Sequence, residues 1–294
     1  MSTEILEVRR RWAHLGTAAD LAAMRGLFDQ EGERLGMPPG VAVQRIVIAS
    51  RPAEWLAPSA AGRAVVLYLH GGGYMTGSLT SYRHLAGEFA KRINGRALLL
   101  EYRLAPEHVF PAALEDAIAA YRRLLDEEGI APDRIAFVGD SAGGNLVLTT
   151  LLTAREQGLP MPACAVCLSP WTDYEATGES MRTKASVDPV ITREGALHGA
   201  QVYFSGSDPD RPPVAILDAD LSGLPPLLVQ VGSHETLLDD SIRLAARAGH
   251  HEVETTLEVW PGMPHVFQFF YPILRDGRDA IARAAEFILR HTAR

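Results

Sequence analysis

Residues 134–157 run Arg134-Ile135-Ala136-Phe137-Val138, then Gly139-Asp140-Ser141-Ala142-Gly143-Gly144, then Asn145-Leu146-Val147-Leu148 and on to Gln157. An apolar strand, a turn of small residues and a helical run follow one another with no linker between them. The turn fits G-x-S-x-G, the pattern of a nucleophile elbow. A strand that turns straight into a helix forces its middle residue into a strained backbone region, tolerable only if the neighbours two positions away lack side chains. Gly139 and Gly143 meet that demand. Ser141 is therefore expected as a nucleophile held above a sheet, beside the free N–H groups and positive end of the helix beginning at Ala142.

Working outward, strands and helices alternate. Strands are expected at 64–69, 97–102, 135–138, 164–168, 227–231 and 255–259, and helices at 81–92, 112–128, 142–157, 237–248 and 280–289. The run 41–50, VAVQRIVIAS, alternates apolar and polar residues as a half-buried strand does. AVVLYL at 64–69 is continuously apolar, the mark of a strand buried on both faces. The alternation predicts an α/β fold, a mostly parallel central sheet with helices on both faces. Upstream, Ile5, Leu6, Val8 and Trp12, then Leu21, Met24, Leu27, Phe28 and Leu35, recur at helical spacing up to the break at Met37-Pro38-Pro39-Gly40. The expected division is a helical cap segment at 1–40 and a main domain at 41–294. Within that domain the Pro-, Gly- and Asp-rich stretch 171–213, carrying one helix at 192–204, forms a cap and pocket wall.

His70-Gly71-Gly72-Gly73-Tyr74 follows the buried strand directly. Consecutive glycines let several backbone N–H groups converge on one point, as a developing oxyanion requires. Neither G-x-x-x-x-G-K-[ST] nor G-x-G-x-x-G occurs, so a phosphate cradle is not expected. Of ten histidines, His265 in Trp260-Pro261-Gly262-Met263-Pro264-His265 lies after the last strand and before the closing helix, where a general base for Ser141 belongs. His250 and His251 lie at that strand's other end, and His70 is expected to order the glycine loop. The acid that orients the base should sit on the loop after PLLVQV, which reads Gly232-Ser233-His234-Glu235-Thr236-Leu237-Leu238-Asp239-Asp240. Glu235 falls within the loop, three residues past Gly232, and is the expected acid; Asp239, on the helix after it, is the alternative. The order Ser, acid, His is that of the α/β-hydrolases.

Composition narrows the alternatives. Lys and Arg number 28 against 36 Asp and Glu, a net charge of −8 without a basic stripe, so nucleic-acid binding is not expected. The opening MSTEILEVRRRW lacks the apolar run of a signal peptide, and no apolar stretch approaches the ~20 residues of a membrane span. A cytoplasmic protein without membrane association is expected. Cys164 and Cys167 are spaced C-x-x-C, but they sit in an apolar strand where residues three apart face opposite ways. They are expected to be core thiols rather than metal ligands.

HGGGY (70–74), EYRLAPEH (101–108), FPAALEDA (110–117), GDSAGG (139–144), LSPWTD (168–173) and GMPHVF (262–267) resemble, in order, the blocks of the hormone-sensitive-lipase-like family of bacterial carboxylesterases. Within that family the chain is most similar to short-chain esterases and monoterpene lactone hydrolases. The resemblance covers about residues 65–267. It implies an α/β-hydrolase fold with a helical cap and a serine esterase needing no metal or cofactor. Ser141 is implied as nucleophile, His265 as base, and the N–H groups of Gly72, Gly73 and Ala142 as the oxyanion hole. Tyr74, Trp171, Tyr174 and Met181 are pocket candidates, and Arg103, Glu107 and Asp116 look like structural ion-pair partners. Short-chain esters or lactones are the implied substrates, and pairing through the edge of strand TTLEVW (255–260) the implied homodimer. The chain departs from most relatives in carrying Glu235 where they have Asp. Two alternatives stand beside this reading: an amidase, and a ligand receptor like the plant gibberellin receptors, which resemble the family but have replaced the histidine.

Overall fold

The computed structural model describes residues 2–205 and 215–292. In chain order its strands are β1 (Val41–Ile48), β2 (Arg51–Pro58), β3 (Val65–Leu69), β4 (Arg96–Leu100), β5 (Ile135–Asp140), β6 (Cys164–Leu168), β7 (Leu227–Gly232) and β8 (Thr255–Trp260). They form one eight-stranded sheet in the order β1-β2-β4-β3-β5-β6-β7-β8. β1, β2 and β4 pair antiparallel; the other neighbours are parallel. The central strands β3, β5, β6 and β7 are buried along their whole length, which is why they read as mostly apolar runs, with Asp140 of β5 and Gln230 of β7 the charged and amide exceptions.

The helices are α1 (Thr3–Leu15), α2 (Leu21–Leu35), α3 (Leu79–Arg92), α4 (Ala112–Arg122), α5 (Ala142–Glu156), α6 (Ser180–Thr183), α7 (Arg193–Tyr203), α8 (Leu238–His250) and α9 (Arg275–Thr292). α3 and α9, joined by Val8, Trp12 and Phe28, build the core on one face of the sheet, and α4, α5 and α8 build it on the other. Cys164 and Cys167 fall one in each core, so they face away from each other and cannot share a ligand. Burial pushes both thiols up to about 12.

β2 is a strand that the sequence pattern does not announce. Pro52, Pro58 and Glu54 argue against a strand there, and the connection lacks the Asn-Gly or Asp-Gly of a tight hairpin. The turn is nonetheless a two-residue hairpin, with Ala49 at φ 47° and Ser50 at φ 68°. Glu54 is buried within it because Arg83 of α3 donates two hydrogen bonds to its carboxylate, at 2.6 and 2.7 Å. The 171–213 stretch holds a second, four-residue helix, α6, besides the expected one; its last part, 206–213, lies outside the described residues. Among the described residues no helix is long and apolar enough to cross a membrane.

Candidate active site

Four loops meet where the parallel strands β3, β5, β7 and β8 end, the edge at which open α/β sheets carry ligands. Ser141, between β5 and α5, has φ 52° and ψ −122°, a conformation costing about 1–3 kcal/mol for a residue with a side chain. Its backbone is pinned on both sides: its N–H donates to the Leu168 carbonyl at 2.9 Å, and its carbonyl accepts from Trp171 N at 3.0 Å. A Cβ on Gly139 would stand 2.3 Å from the Gly143 carbonyl, and one on Gly143 2.1 Å from that of Leu69. Only glycine fits either position.

Ser141 Oγ lies 3.0 Å from His265 Nε2, and His265 Nδ1 lies 2.7 Å from Glu235 Oε2. All three residues are buried. The other oxygen of Glu235 accepts from Gly232 N at 2.5 Å and from Ser169 Oγ at 2.8 Å, so the carboxylate is held by three donors. Burial pulls the imidazole of His265 down, but the hydrogen bond and charge of Glu235 outweigh it and raise its pKa above the ordinary value. Asp239 is elsewhere: on the first turn of α8, its Oδ2 accepts from Ser180 N at 2.8 Å. The structure thus brings Glu235 to His265 and leaves Asp239 apart.

The glycine loop is built around buried aromatics. His70 stacks between Tyr82 and Tyr102, with ring centroids 5.2 and 4.2 Å apart, and its Nδ1 lies 2.8 Å from the Gly71 carbonyl. Burial drives it down to about 4, so it stays neutral. Gly72 adopts φ 114°, and its carbonyl accepts from the N–H groups of Met75 and Thr76. Among the described residues the N–H groups of Gly72, Gly73 and Ala142 donate to no protein acceptor; for Ala142 this follows from its place in the first turn of α5. Asp140, wholly buried, accepts from Tyr68 and Tyr82 hydroxyls at 2.9 Å each and from Gly71 N at 3.0 Å. Burial raises it to about 6 against the pull of those three donors.

A cavity of about 220 Å³ opens over Ser141 and His265. Gly72, Gly73 and Met75 line one side, Trp12, Met24 and Phe28 of α1 and α2 another, and Trp171 with Val190, Ile191 and the Gly195, Ala196 and Gly199 face of α7 a third. Of the pocket candidates Trp171 lies on this lining. Tyr74, Tyr174 and Met181 need correction: all are buried in the core behind it. Tyr74 stacks on Tyr203 at 3.7 Å and its hydroxyl donates to Asn145 Oδ1 at 3.0 Å. Tyr174 packs edge-on against Trp171 and Phe204. A side chain's direction after a turn depends on the backbone there, and Tyr74 takes φ 60°.

Arg103 binds Asp116 at 2.9 Å, whereas Glu107 pairs with Arg25 of α2. Arg25 also donates to the carbonyls of Met75 and Ala105, tying α2 to the glycine loop. Ser169 and Asp140 belong to the site although sequence reasoning gave them no role. Their only signal is a polar residue at or just past the end of an apolar strand.

A model of the family described as alpha/beta hydrolase fold matches residues 66–269. The chain is 42% identical over 254 residues to an acetyl-hydrolase of Streptomyces hygroscopicus, spanning 86% of this chain and 84% of that one. Among solved structures it is similar to an esterase from the bacterial hormone-sensitive lipase family, with TM-score 0.96, 44% identity and 99% of both chains covered. It is likewise similar to EstE5 soaked with p-nitrophenyl butyrate, with TM-score 0.93, 41% identity and full coverage of both chains. The chain belongs to the α/β-hydrolase fold family, as a member of its hormone-sensitive-lipase-like esterase branch.

Proposed function

We propose that this carboxylic ester hydrolase cleaves short-chain acyl esters, lactones included, through an acyl-enzyme on Ser141. The observation that carries the reading is the unbroken chain Ser141 Oγ to His265 to Glu235, whose first two members line one cavity. His265 Nε2 takes the Ser141 proton as Oγ attacks the ester carbonyl; Glu235 holds the imidazole and stabilises its charged form. Negative charge gathering on the carbonyl oxygen is met by the N–H groups of Gly72, Gly73 and Ala142. As the tetrahedral adduct collapses, the C–O bond to the alcohol breaks and His265 returns the proton to it. Water then attacks the acyl-enzyme by the same route, giving the carboxylic acid and free Ser141. In a lactone the alcohol stays attached to the acyl chain, so water releases a single hydroxy acid from the acyl-enzyme.

The cavity, at about 220 Å³, falls below the range of about 300–1,000 Å³ common for drug-sized ligands. That size supports small acyl groups, as do the acetyl-hydrolase relative and the butyrate ester soaked into EstE5. α1, α2 and the described part of 171–213 act in this reading as the cap. Hydrolysis of p-nitrophenyl esters from acetyl to palmitoyl tests it: activity should peak at the short end. A maximum at palmitoyl, or turnover of matched amides but not esters, would overturn it.

A Cβ on Gly199 would stand 3.4 Å from the Trp171 ring and 3.7 Å from Met75 Cε, so anything larger than alanine enters the cavity. Gly199→Leu should lower kcat/KM for butyrate and hexanoate esters about tenfold or more relative to acetate, the order expected from about 1–3 kcal/mol per mismatched methylene. An unchanged chain-length profile would remove α7 from the acyl pocket. Because His265 acts only when neutral and its pKa is raised, kcat/KM should fall on acidification through a midpoint above 6.5, read from a pH–rate profile.

A homodimer paired through β8, which ends the sheet and exposes Val259, belongs to the same reading, as does a cytoplasmic location. Sedimentation velocity and cell fractionation test the two.

A further inference from the structure

The loop that carries Glu235 is anchored in two halves. Ser233 and His234 donate their N–H groups to the carbonyls of Trp260 and Met263, on the His265 side. Beyond Glu235 the anchor changes. Thr236, fully buried, donates its N–H to Asp188 Oδ2 at 2.7 Å and accepts at its carbonyl from Ser180 Oγ at 2.5 Å. Its hydroxyl is within reach of Asp188 Oδ2 at 3.1 Å and the Ile191 carbonyl at 3.3 Å. Every polar group of the residue after Glu235 is therefore satisfied by 180–191, and none by the sheet.

Asp188 holds the pocket wall with its other oxygen. Oδ1 accepts from Val190 N at 2.8 Å and Ile191 N at 3.0 Å, closing a turn over Pro189. Both of those residues line the cavity, and Thr192, next along, caps α7 by accepting from Gly195 N. One carboxylate thus fixes both the start of the α7 wall and the backbone beside Glu235.

We infer that Asp188 is a positioning residue of the reaction: it clamps the substrate-pocket wall to the Glu235 loop, so that the wall and the Glu235–His265 pair move as one unit. The inference rests on the role proposed above for Ser141, His265 and Glu235. Without the clamp the loop past Glu235 loses its N–H acceptor, and a misplacement of about 1 Å remote from the chemistry costs about 10²-fold. A neutral residue at 188 also removes a negative charge that favours the His265 imidazolium. The charged groups acting on that imidazole are Glu235 from the β7–α8 loop, Asp188 from the insertion and Asp140 from the end of β5, all acidic.

The test is kcat and KM for p-nitrophenyl acetate between about pH 5 and 9 for wild type, Asp188→Ala, Asp188→Asn and, in parallel, Ser141→Ala. Asp188→Ala should lower kcat about 10- to 100-fold with a smaller change in KM, and move the acid limb of the profile to lower pH. The Asn amide oxygen can accept from Thr236 N or from the Val190 and Ile191 pair, but not both. Asp188→Asn should therefore recover part of kcat while keeping the shifted limb. Wild-type kcat with an unshifted limb in both variants would overturn the clamp, and so would a rise in KM alone. If the Ala variant does not fold, the Asn variant decides by the same two readouts. An active Ser141→Ala would instead sink the serine mechanism itself, whatever Asp188 does.

Discussion

Ser141→Ala is expected to yield a folded protein whose kcat toward p-nitrophenyl acetate is lower by about three to six orders of magnitude, the range seen when a serine nucleophile is removed from a working triad. The fold should survive because alanine keeps the Cβ that Ser141 already carries at φ 52°, and the pinning bonds at this position are made by its backbone. The hydroxyl's side-chain partner is His265 Nε2, which faces the cavity. Its loss leaves a nitrogen beside the cavity rather than an orphan in the core. Circular dichroism should show a melting temperature within a few degrees of wild type. Near-normal turnover in the folded variant would move the nucleophile elsewhere.

Glu235→Gln should be nearly as severe, about 10⁴-fold in kcat, the loss known for the corresponding acid-to-amide change in a serine protease. The reason lies in the donors around the side chain. Gly232 N and Ser169 Oγ both require an acceptor where Oε1 stands, so the amide oxygen stays with them and the NH2 turns toward His265. A donor facing Nδ1 forces the imidazole proton onto Nε2, the nitrogen that must accept from Ser141. Asp239→Asn, which faces Ser180 rather than His265, should cost far less, under about tenfold on the scale of a remote perturbation. Parallel kinetics of the two variants decide the matter, and the reverse ranking would give Asp239 the acid's role.

The features legible in the sequence are those that short stretches of backbone decide. Gly139 and Gly143 flank Ser141 because no Cβ fits beside the elbow, and that crowding involves neighbours only two to four residues away or the adjacent strand. The glycine loop after β3 and His265 after β8 follow from the order of strand ends, since each parallel strand delivers its following loop to the same edge. β2 was not legible: its pairing with β4 joins residues more than forty apart, and the two prolines and the buried Glu54 speak against a strand until Arg83 is in place.

Side-chain partners were decided only by the tertiary structure. Glu235 and Asp239 lie four residues apart; loop against helix position favours Glu235 in the sequence, but the contact with His265 is not made by either residue's neighbours in the chain. The carboxylate is held there by Ser169, 66 positions upstream of Glu235, and by a turn through Gly232 that points it inward. Tyr74, Tyr174 and Met181 have the chemistry of pocket residues, yet their backbones aim them into the core, while Trp12, Met24 and Phe28 reach the cavity from the far end of the chain. The sequence by itself thus determined the α/β order, the strained Ser141 and the edge where the site must lie, because those depend on local backbone geometry. How the acid is held against the imidazole, what walls the pocket and how Asp188 joins the two depend on where distant segments pack. That is a property of the assembled core rather than of any one stretch of chain.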